Sequence, residues 1–397
     1  MGKKTDFFLR STALLSILFF TFLIGNNWIR GSALKWSSGL HKGGDLLQHY
    51  AAGHFAKTQQ WHDLYHGEHL GLWINDWLKT HNIPHATILE HFNYVYPPLL
   101  ASIASLCLLL SFEVWINLFA TIIVGAFFLS LVLLHRQFTS HKSTVPLLAL
   151  GIPSFYFTLI PFQTSTLSLL FVCAACFLLK QNRAILAGWL LGMILFKPQF
   201  AACLAAIFTL TSQWKLVIGI MLGVSTWMIG GLLIFGIEPT QYWLSSMLHM
   251  NQGGQFIKAG MDQSWAAFIQ SDSPIPSPLA KNIGLAFGLI CLVMFGFKLH
   301  RFKNSAQITC AFASALYTIV TPYIGYYEIL LAIPWWWLSA KDYSTSCKNQ
   351  WLIGAFWLIS LLTLAGSAGL PTLTPVLMTI WLMASLNFYG SNVRPIK

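Results

Sequence analysis

The residues from Val114 to Leu134, VWINLFATIIVGAFFLSLVLL, form a run of 21 residues without a single charge. A helix that crosses a bilayer needs about 20 consecutive, mostly apolar residues. Similar apolar runs recur from residue 12 to residue 389, and no polar block is longer than the one between residues 30 and 96. The sequence therefore predicts an all-α polytopic membrane protein, with one transmembrane domain over residues 1–397.

The composition excludes an ordinary soluble domain. Of the 397 residues, 56% are hydrophobic and 9% are charged, whereas soluble domains carry about 25% charged residues. The net charge of +11 is typical of a membrane protein that keeps Lys and Arg on its cytoplasmic side. No nucleic-acid-binding motif accompanies this charge, so we expect no nucleic-acid partner. The cysteines lie mostly in apolar runs, and the pair Cys173 and Cys176 has the C-x-x-C spacing without a second pair. We expect them to act as small hydrophobic residues.

The basic residues of the short loops set the predicted orientation. Lys3, Lys4 and Arg10 precede the first apolar run, and no small-residue cleavage site follows it. We therefore interpret this run as a retained anchor that starts in the cytoplasm. The run Pro97 to Leu110 is too short to span, and treating it as a re-entrant or interfacial helix puts the later basic loops in the cytoplasm. The scheme has both termini inside and about twelve spans, over residues 11–28, 114–134, 145–161, 165–180, 184–196, 199–212, 216–235, 280–297, 305–321, 325–339, 350–366 and 373–389.

Two sizeable segments lie outside on this scheme. The first is a long extracytoplasmic loop over residues 30–112, which includes the re-entrant or interfacial helix. Its residues 30–96 hold five of the twelve acids and nine of the thirteen histidines. The second is the loop over residues 236–279. We expect a multi-pass protein of the cell (inner) membrane with its chemistry on the outer face.

The stretch from Gly43 to Ala52, GGDLLQHYAA, places the carboxylate of Asp45 just beyond the first span. A carboxylate within hydrogen-bond reach of an attacking hydroxyl can act as its general base. Asp is also well suited to cap a helix that begins at Leu46. Both roles are open from the sequence.

Lys197 is the one lysine between two apolar segments at the predicted outer face, and Pro198 interrupts the helix beside it. An interfacial cation of this kind is a functional-site hypothesis, with a lipid phosphate as the obvious anion. The alternative is that the side chain snorkels to the interface from a helix end.

Several short motifs carry a resemblance to a known family. In chain order they are Gly44-Asp45-Leu46, Tyr50-Ala51-Ala52, Leu64-Tyr65, Phe92-Asn93-Tyr94-Val95-Tyr96-Pro97-Pro98-Leu99, Phe196-Lys197-Pro198-Gln199 and Asp262-Gln263-Ser264. Together they resemble glycosyltransferase family 87 of the GT-C superfamily, membrane enzymes that use polyprenyl-phosphate sugars. The chain departs from the family at Gln163, where Phe-Gln-Thr-Ser replaces Gly-Gln-x-Asn, and at Glu328, where Tyr-Tyr-Glu stands in place of a His-Tyr element.

The resemblance implies a GT-C-like fold and an inverting hexosyltransferase. A sugar, mannose by family precedent, would pass from a polyprenyl phosphate to a hydroxyl of a glycan or glycolipid acceptor, with Asp45 as the base. No nucleotide diphosphate leaves in such a reaction, so we expect no divalent metal and no cofactor. The expected substrate-binding residues are Lys197, Gln199, Tyr50, Tyr65, Tyr94, Tyr96, Gln163, Gln263 and Glu328.

Structural roles compete with these assignments. Tyrosines gather at membrane interfaces regardless of function, and Glu328 at a helix start can stabilise the helix dipole. His62, His66 and His69 have a spacing that would align three imidazoles on one helical face, a geometry that zinc could use, and Asp63 and Glu68 nearby add possible ligands. Because nine histidines in one loop produce such spacings by chance, we assign no metal to them.

Two other classes of protein remain open. A secondary transporter or lipid-linked sugar flippase would show paired ionisable residues deep within spans and inverted repeats; here the acids sit in predicted outer loops, which favours an enzyme. An oligosaccharide ligase or polymerase with diphosphate-linked donors should need more outer-face arginines, and the predicted outer loops contain only Arg30.

Overall fold

Helices make up almost all of the described chain. The computed structural model describes residues 2–32, 34–35, 44–83, 94–138, 145–249, 262–271, 275–302, 304–321, 325–340, 347–367 and 373–392. Within these ranges the α-helices are α1 (Gly2–Arg30), α2 (Leu46–Lys57), α3 (Trp61–Tyr65), α4 (Gly67–Thr80), α5 (Pro98–Ser105), α6 (Phe112–Phe138), α7 (Val145–Leu150), α8 (Pro153–Leu159), α9 (Ser165–Lys180), α10 (Ala184–Gly192), α11 (Pro198–Leu210), α12 (Trp214–Phe235), α13 (Ile237–His249), α14 (Trp265–Ser271), α15 (Ser277–His300), α16 (Ala306–Val320), α17 (Ile333–Ala340), α18 (Cys347–Ser367) and α19 (Thr374–Asn392). Short 3-10 helices cover Leu106–Leu109, Met193–Phe196 and Tyr326–Ala332. The all-α prediction is confirmed.

Four helices in the described part of the chain are long and apolar enough to cross a membrane, namely Phe7–Arg30, Phe112–Phe138, Trp214–Phe235 and Pro278–His300. The second of these contains the Val114 to Leu134 run. Large apolar side chains face outward on all four of them, for example Leu15, Leu233 and Phe297, which are 66%, 82% and 71% exposed. Such surfaces indicate a membrane-embedded protein. The count of about twelve spans stays a prediction.

Three predicted segments are broken into shorter pieces. The predicted span 145–161 consists of α7 and α8, which are separated at Gly151 and Ile152 and restart at Pro153. Proline favours the first position of a new helix because it lacks the amide proton that a continuing helix needs. The predicted span 325–339 starts as the 3-10 helix Tyr326–Ala332 before it becomes α17. The predicted re-entrant or interfacial segment forms α5 and the adjoining 3-10 turn.

The interior is filled by helix α16 and its aromatic neighbours. Every residue from Thr309 to Val320 is buried. The ring of Phe312 meets the ring of Trp335 edge to face at 4.8 Å, and the indole N–H of Trp335 donates to Ser385 in α19. The cysteines with described side chains are buried and unbridged. This part of the interior is largely apolar, in contrast to the polar site described below.

The N-terminus of α2 docks on the turn between α8 and α9. The backbone N–H of Asp45 donates to the carbonyl of Pro161 at 2.8 Å. Gly53 in the same helix lies so close to α5 that an added Cβ would sit 2.6 Å from the Ala104 carbonyl oxygen. These two contacts hold the segment between α1 and α6 against the helices that carry the remaining candidate site residues.

Candidate active site

Asp45 is positioned by a backbone geometry that only glycine adopts readily. Gly44 has φ +38°, and a Cβ at this position would lie 2.4 Å from the Pro161 carbonyl oxygen. Asp45 precedes α2, but its side chain makes no capping hydrogen bond. Instead, the amide nitrogen of Gln163 donates to Oδ2 of Asp45. The geometry therefore does not use the Asp45 carboxylate as a helix cap.

The environment of Asp45 favours the protonated carboxyl group. Burial raises its pKa from 3.8 to about 7, and the positive charge of Lys197 opposes this shift. Removing a carboxylate from water disfavours its ionised form, whereas a nearby cation favours it. A carboxyl group with this pKa exchanges protons readily near neutral pH.

Lys197 points into the protein and not toward an interface. It lies between the 3-10 turn Met193–Phe196 and α11, and it is 5% exposed. Its Nζ donates to Ser165 Oγ at 3.0 Å and to Oε1 of Glu328. The second Glu328 oxygen accepts from the Tyr317 hydroxyl at 3.0 Å. The snorkelling alternative for Lys197 is therefore wrong, because its ammonium is buried and paired.

Tyr96 is close enough to both carboxylates to respond to their charges. Burial, and then the charges of Asp45 and Glu328, raise the pKa of its phenol. Asp45 in turn responds to Lys197. The structure thus brings together two acids, one lysine and one tyrosine, drawn from four separate parts of the sequence.

A cluster of aromatic rings adjoins this charged group. The ring of His49 lies 4.6 Å from the ring of Tyr96, centroid to centroid, and its Nδ1 is 3.4 Å from the Tyr94 hydroxyl oxygen. The hydroxyl of Tyr65 donates to the backbone carbonyl of Tyr96 at 3.0 Å. Burial lowers the pKa of His49 to about 4, so the ring is neutral near pH 7.

Sequence reasoning missed His49. The signal was its position four residues after Asp45, because residues i and i+4 lie on the same face of a helix. In the sequence this histidine was one of nine in a polar segment, and the spacing that stood out there was that of His62, His66 and His69.

The other expected binding residues have different surroundings. Gln199 lies close to Tyr317, at the edge of the Lys197 group. Gln263 is fully buried and accepts a hydrogen bond from Thr374 at 2.6 Å, which joins it to the start of α19. Tyr50 packs against Phe112 at 5.0 Å between ring centroids.

Two positions of the sequence motifs, Phe92 and Asn93, lie outside the described residues, as does Gly43.

The three histidines do not share one helical face. Helix α3 ends at Tyr65, and His66 is extended, with φ −97° and ψ 108°, before α4 begins at Gly67. The chain turns at this corner and brings Asp63 against His69, with 2.6 Å between Oδ1 and Nδ1. Among the described residues, ligand atoms of His62, Asp63 and His69 all lie within 4.8 Å of one another.

Comparison with known proteins gives one family match. The model of glycosyltransferase family 87 matches residues 94–360, about two thirds of the chain. The matched range includes Tyr96, Gln163, Lys197 and Glu328, whereas Asp45 precedes it. Comparison with the curated proteins and with the solved structures found no match.

Proposed function

Because this chain belongs to glycosyltransferase family 87, we propose that it transfers a sugar from a polyprenyl phosphate to an acceptor hydroxyl at the outer face of the cell membrane. Family membership makes the protein a membrane glycosyltransferase. The proposal adds the donor, the acceptor, which is a glycan or glycolipid, and the catalytic residues. Mannose is the proposed sugar because of the family resemblance.

The observation that carries the mechanism is the environment of Asp45. Its carboxylate is not engaged as a helix cap and has a pKa of about 7. In the proposed reaction the acceptor oxygen forms a bond to the anomeric carbon while its proton passes to Asp45. The bond from that carbon to the phosphate oxygen breaks, and the polyprenyl phosphate leaves with the electron pair. One such displacement inverts the anomeric centre.

Lys197 is the proposed partner of the leaving phosphate. An ammonium carries three N–H donors, and two of them are directed at Ser165 and Glu328. The third is available for a phosphate oxygen, which gains negative charge as its bond to the sugar breaks. A preorganised cation in a water-poor site stabilises such charge far better than water does.

Glu328 and Gln163 are proposed to hold the two reactive groups in place. Glu328 accepts a hydrogen bond from the ammonium of Lys197 and another from the Tyr317 hydroxyl. The amide of Gln163 donates to the carboxylate of Asp45 and would limit its rotation. Positioning of this kind contributes to catalysis because the reacting atoms must be aligned.

The rings of Tyr94, Tyr96 and His49 are proposed to form the wall against which the sugar packs. Aromatic faces offer a large apolar surface to the C–H groups of a sugar, and hydroxyl and imidazole groups add hydrogen bonds. Tyr50, which packs against Phe112, is proposed to support this wall from behind.

The buried pair of Lys197 and Glu328 is the feature that would favour a transporter. Family membership favours the glycosyltransferase instead. An oligosaccharide ligase or polymerase differs in its donor, which carries a diphosphate, and the assay below separates the two.

The test is a donor panel presented to the purified protein in detergent. Polyprenyl monophosphates of mannose, glucose and galactose are compared with polyprenyl diphosphate sugars, and release of the lipid phosphate is measured. We expect turnover with a monophosphate donor, no requirement for added divalent metal, and loss of turnover in Asp45→Asn. Turnover with diphosphate donors alone would refute the proposal.

A further inference from the structure

The corner between α3 and α4 carries a second group of polar side chains, separate from the Asp45 group. Oδ1 of Asp63 lies 2.6 Å from Nδ1 of His69 and 3.4 Å from Nδ1 of His62. The His66 ring is 4.5 Å from the His69 ring and 5.6 Å from the His62 ring, centroid to centroid. One carboxylate and three imidazoles thus meet within a stretch of eight residues.

We propose that His62, Asp63 and His69 bind a divalent transition-metal ion of the Zn²⁺ class. Imidazole nitrogen and carboxylate oxygen are ligands that zinc accepts at about 2.0 to 2.2 Å, commonly in sets of three with a further position open. Atoms that lie within 4.8 Å of one another can all reach one ion after small side-chain rotations. Water can fill the remaining coordination position.

This set of ligand atoms favours a metal ion of intermediate softness, such as zinc, over the hard ions calcium and magnesium. Ca²⁺ and Mg²⁺ prefer oxygen ligands, whereas imidazole suits zinc, copper and nickel. Two of the three ligands here are imidazoles. The side chains of His62 and His69 are 61% and 44% exposed, so an ion reaches them without any opening of the fold.

The metal would reinforce a contact between two distant parts of the chain. The His62 ring packs edge-on against Tyr242 of α13 at 5.4 Å, and the hydroxyl of Tyr242 donates to Glu238 at 3.0 Å. An ion that immobilises His62 also restricts the surface on which α13 rests. Metal binding at this corner does not depend on the proposed glycosyl transfer.

The experiment is a zinc titration of the full chain, purified without a polyhistidine tag, against a chromophoric chelator. We expect one zinc per chain with micromolar or tighter affinity. His69→Ala and Asp63→Asn should each weaken binding by about tenfold or more, because each removes a direct ligand. His81→Ala is the matched control: this exposed histidine of the same segment stacks on Trp77 at 3.9 Å, and its loss should leave zinc affinity unchanged.

Hydrogen exchange supplies a readout that the titration lacks. Zinc should slow amide hydrogen exchange in residues 61–70 of the wild-type chain. It should not change the exchange rates of the same residues in the Asp63→Asn variant. Thermal unfolding without metal verifies that the exposed substitutions leave the fold intact. The proposal fails if the wild-type chain binds no zinc at about 100 µM. It fails equally if the ligand variants bind like the wild type, or if His81→Ala weakens binding as much as they do.

Discussion

Replacement of Asp45 by Asn tests the proposed mechanism most directly. The substitution keeps the size of the side chain and removes its ability to accept a proton. A positioned general base contributes about 10²- to 10⁴-fold to the rate, so we expect kcat/KM to fall on that scale. Asp76→Asn is the matched control, because it removes an exposed carboxylate from the same segment between α1 and α6.

The pH dependence makes the prediction quantitative. With a pKa of about 7, Asp45 is about 9% ionised at pH 6 and about 91% ionised at pH 8. The wild-type kcat/KM should therefore rise about tenfold over this interval. A carboxyl group with the ordinary pKa of 3.8 would be almost fully ionised at both values and would give a flat profile. The Asn variant should have lost this dependence.

The same pKa predicts how stability changes with pH. The pKa of Asp45 in the folded chain, about 7, lies above the ordinary 3.8, so the native state binds the proton more tightly than the unfolded state. Ionisation as the pH rises from about 4 to about 7 therefore costs stability. The thermal stability of Asp45→Asn, measured relative to that of the wild type, should therefore be higher at pH 8 than at pH 5.

The assay is initial-rate transfer from the active polyprenyl-phosphate sugar, measured in detergent between pH 5.5 and 8.5 with saturating and limiting acceptor. A flat wild-type profile between pH 6 and pH 8 would refute the assigned pKa. Near-normal turnover of Asp45→Asn, with Asp76→Asn also normal, would refute the role as base.

Three further predictions concern the neighbouring contacts and the membrane topology. Lys197→Met alone should destabilise the protein by about 3 to 5 kcal/mol, because it leaves Glu328 buried without its partner. The double variant Lys197→Met/Glu328→Gln should recover thermal stability. It should still have a higher KM for the donor and a lower kcat than the wild type. Wild-type kinetics in the double variant would contradict phosphate binding by Lys197. Gly44→Ala should lower kcat, because the added methyl would lie 2.4 Å from a backbone oxygen at a positive φ, and an unchanged kcat would contradict this positioning. A cysteine placed at Lys180 should resist labelling from outside the cell and one at His62 should react, and the reverse pattern would overturn the orientation.

Hydropathy found the long membrane helices but not the interruptions between the shorter ones. Helix α6 contains the whole run from Val114 to Leu134. A continuous apolar segment in a bilayer must pair its own backbone N–H and C=O groups, and the α-helix does so within one segment. The break at Gly151 and Ile152 left no hydropathy signal, because the residues around it are equally apolar. Proline at 153 was the local mark of that break.

The candidate site residues were predicted one by one, and their arrangement was not predicted. Asp45 and Lys197 were named from motifs and Glu328 from a position where the chain departs from the family pattern, but the pairing of Lys197 with Glu328 joins positions 131 residues apart. At His62 and His69 the predicted geometry was wrong. Their spacing suggested one shared helical face, whereas the chain turns at His66 and this turn brings His69 against Asp63.

The sequence alone determined that this chain is a helical membrane protein and carried enough short motifs to indicate its family, because hydropathy and motif composition are local properties of the chain. Only the tertiary structure decided that the Lys197 ammonium is buried against Glu328, that Gln163 and not the backbone of α2 holds the Asp45 carboxylate, and that His49 stands beside Tyr96. Each of these depends on how distant helices pack. The pKa of Asp45 depends on the same packing, because desolvation and charge act through space and not along the sequence.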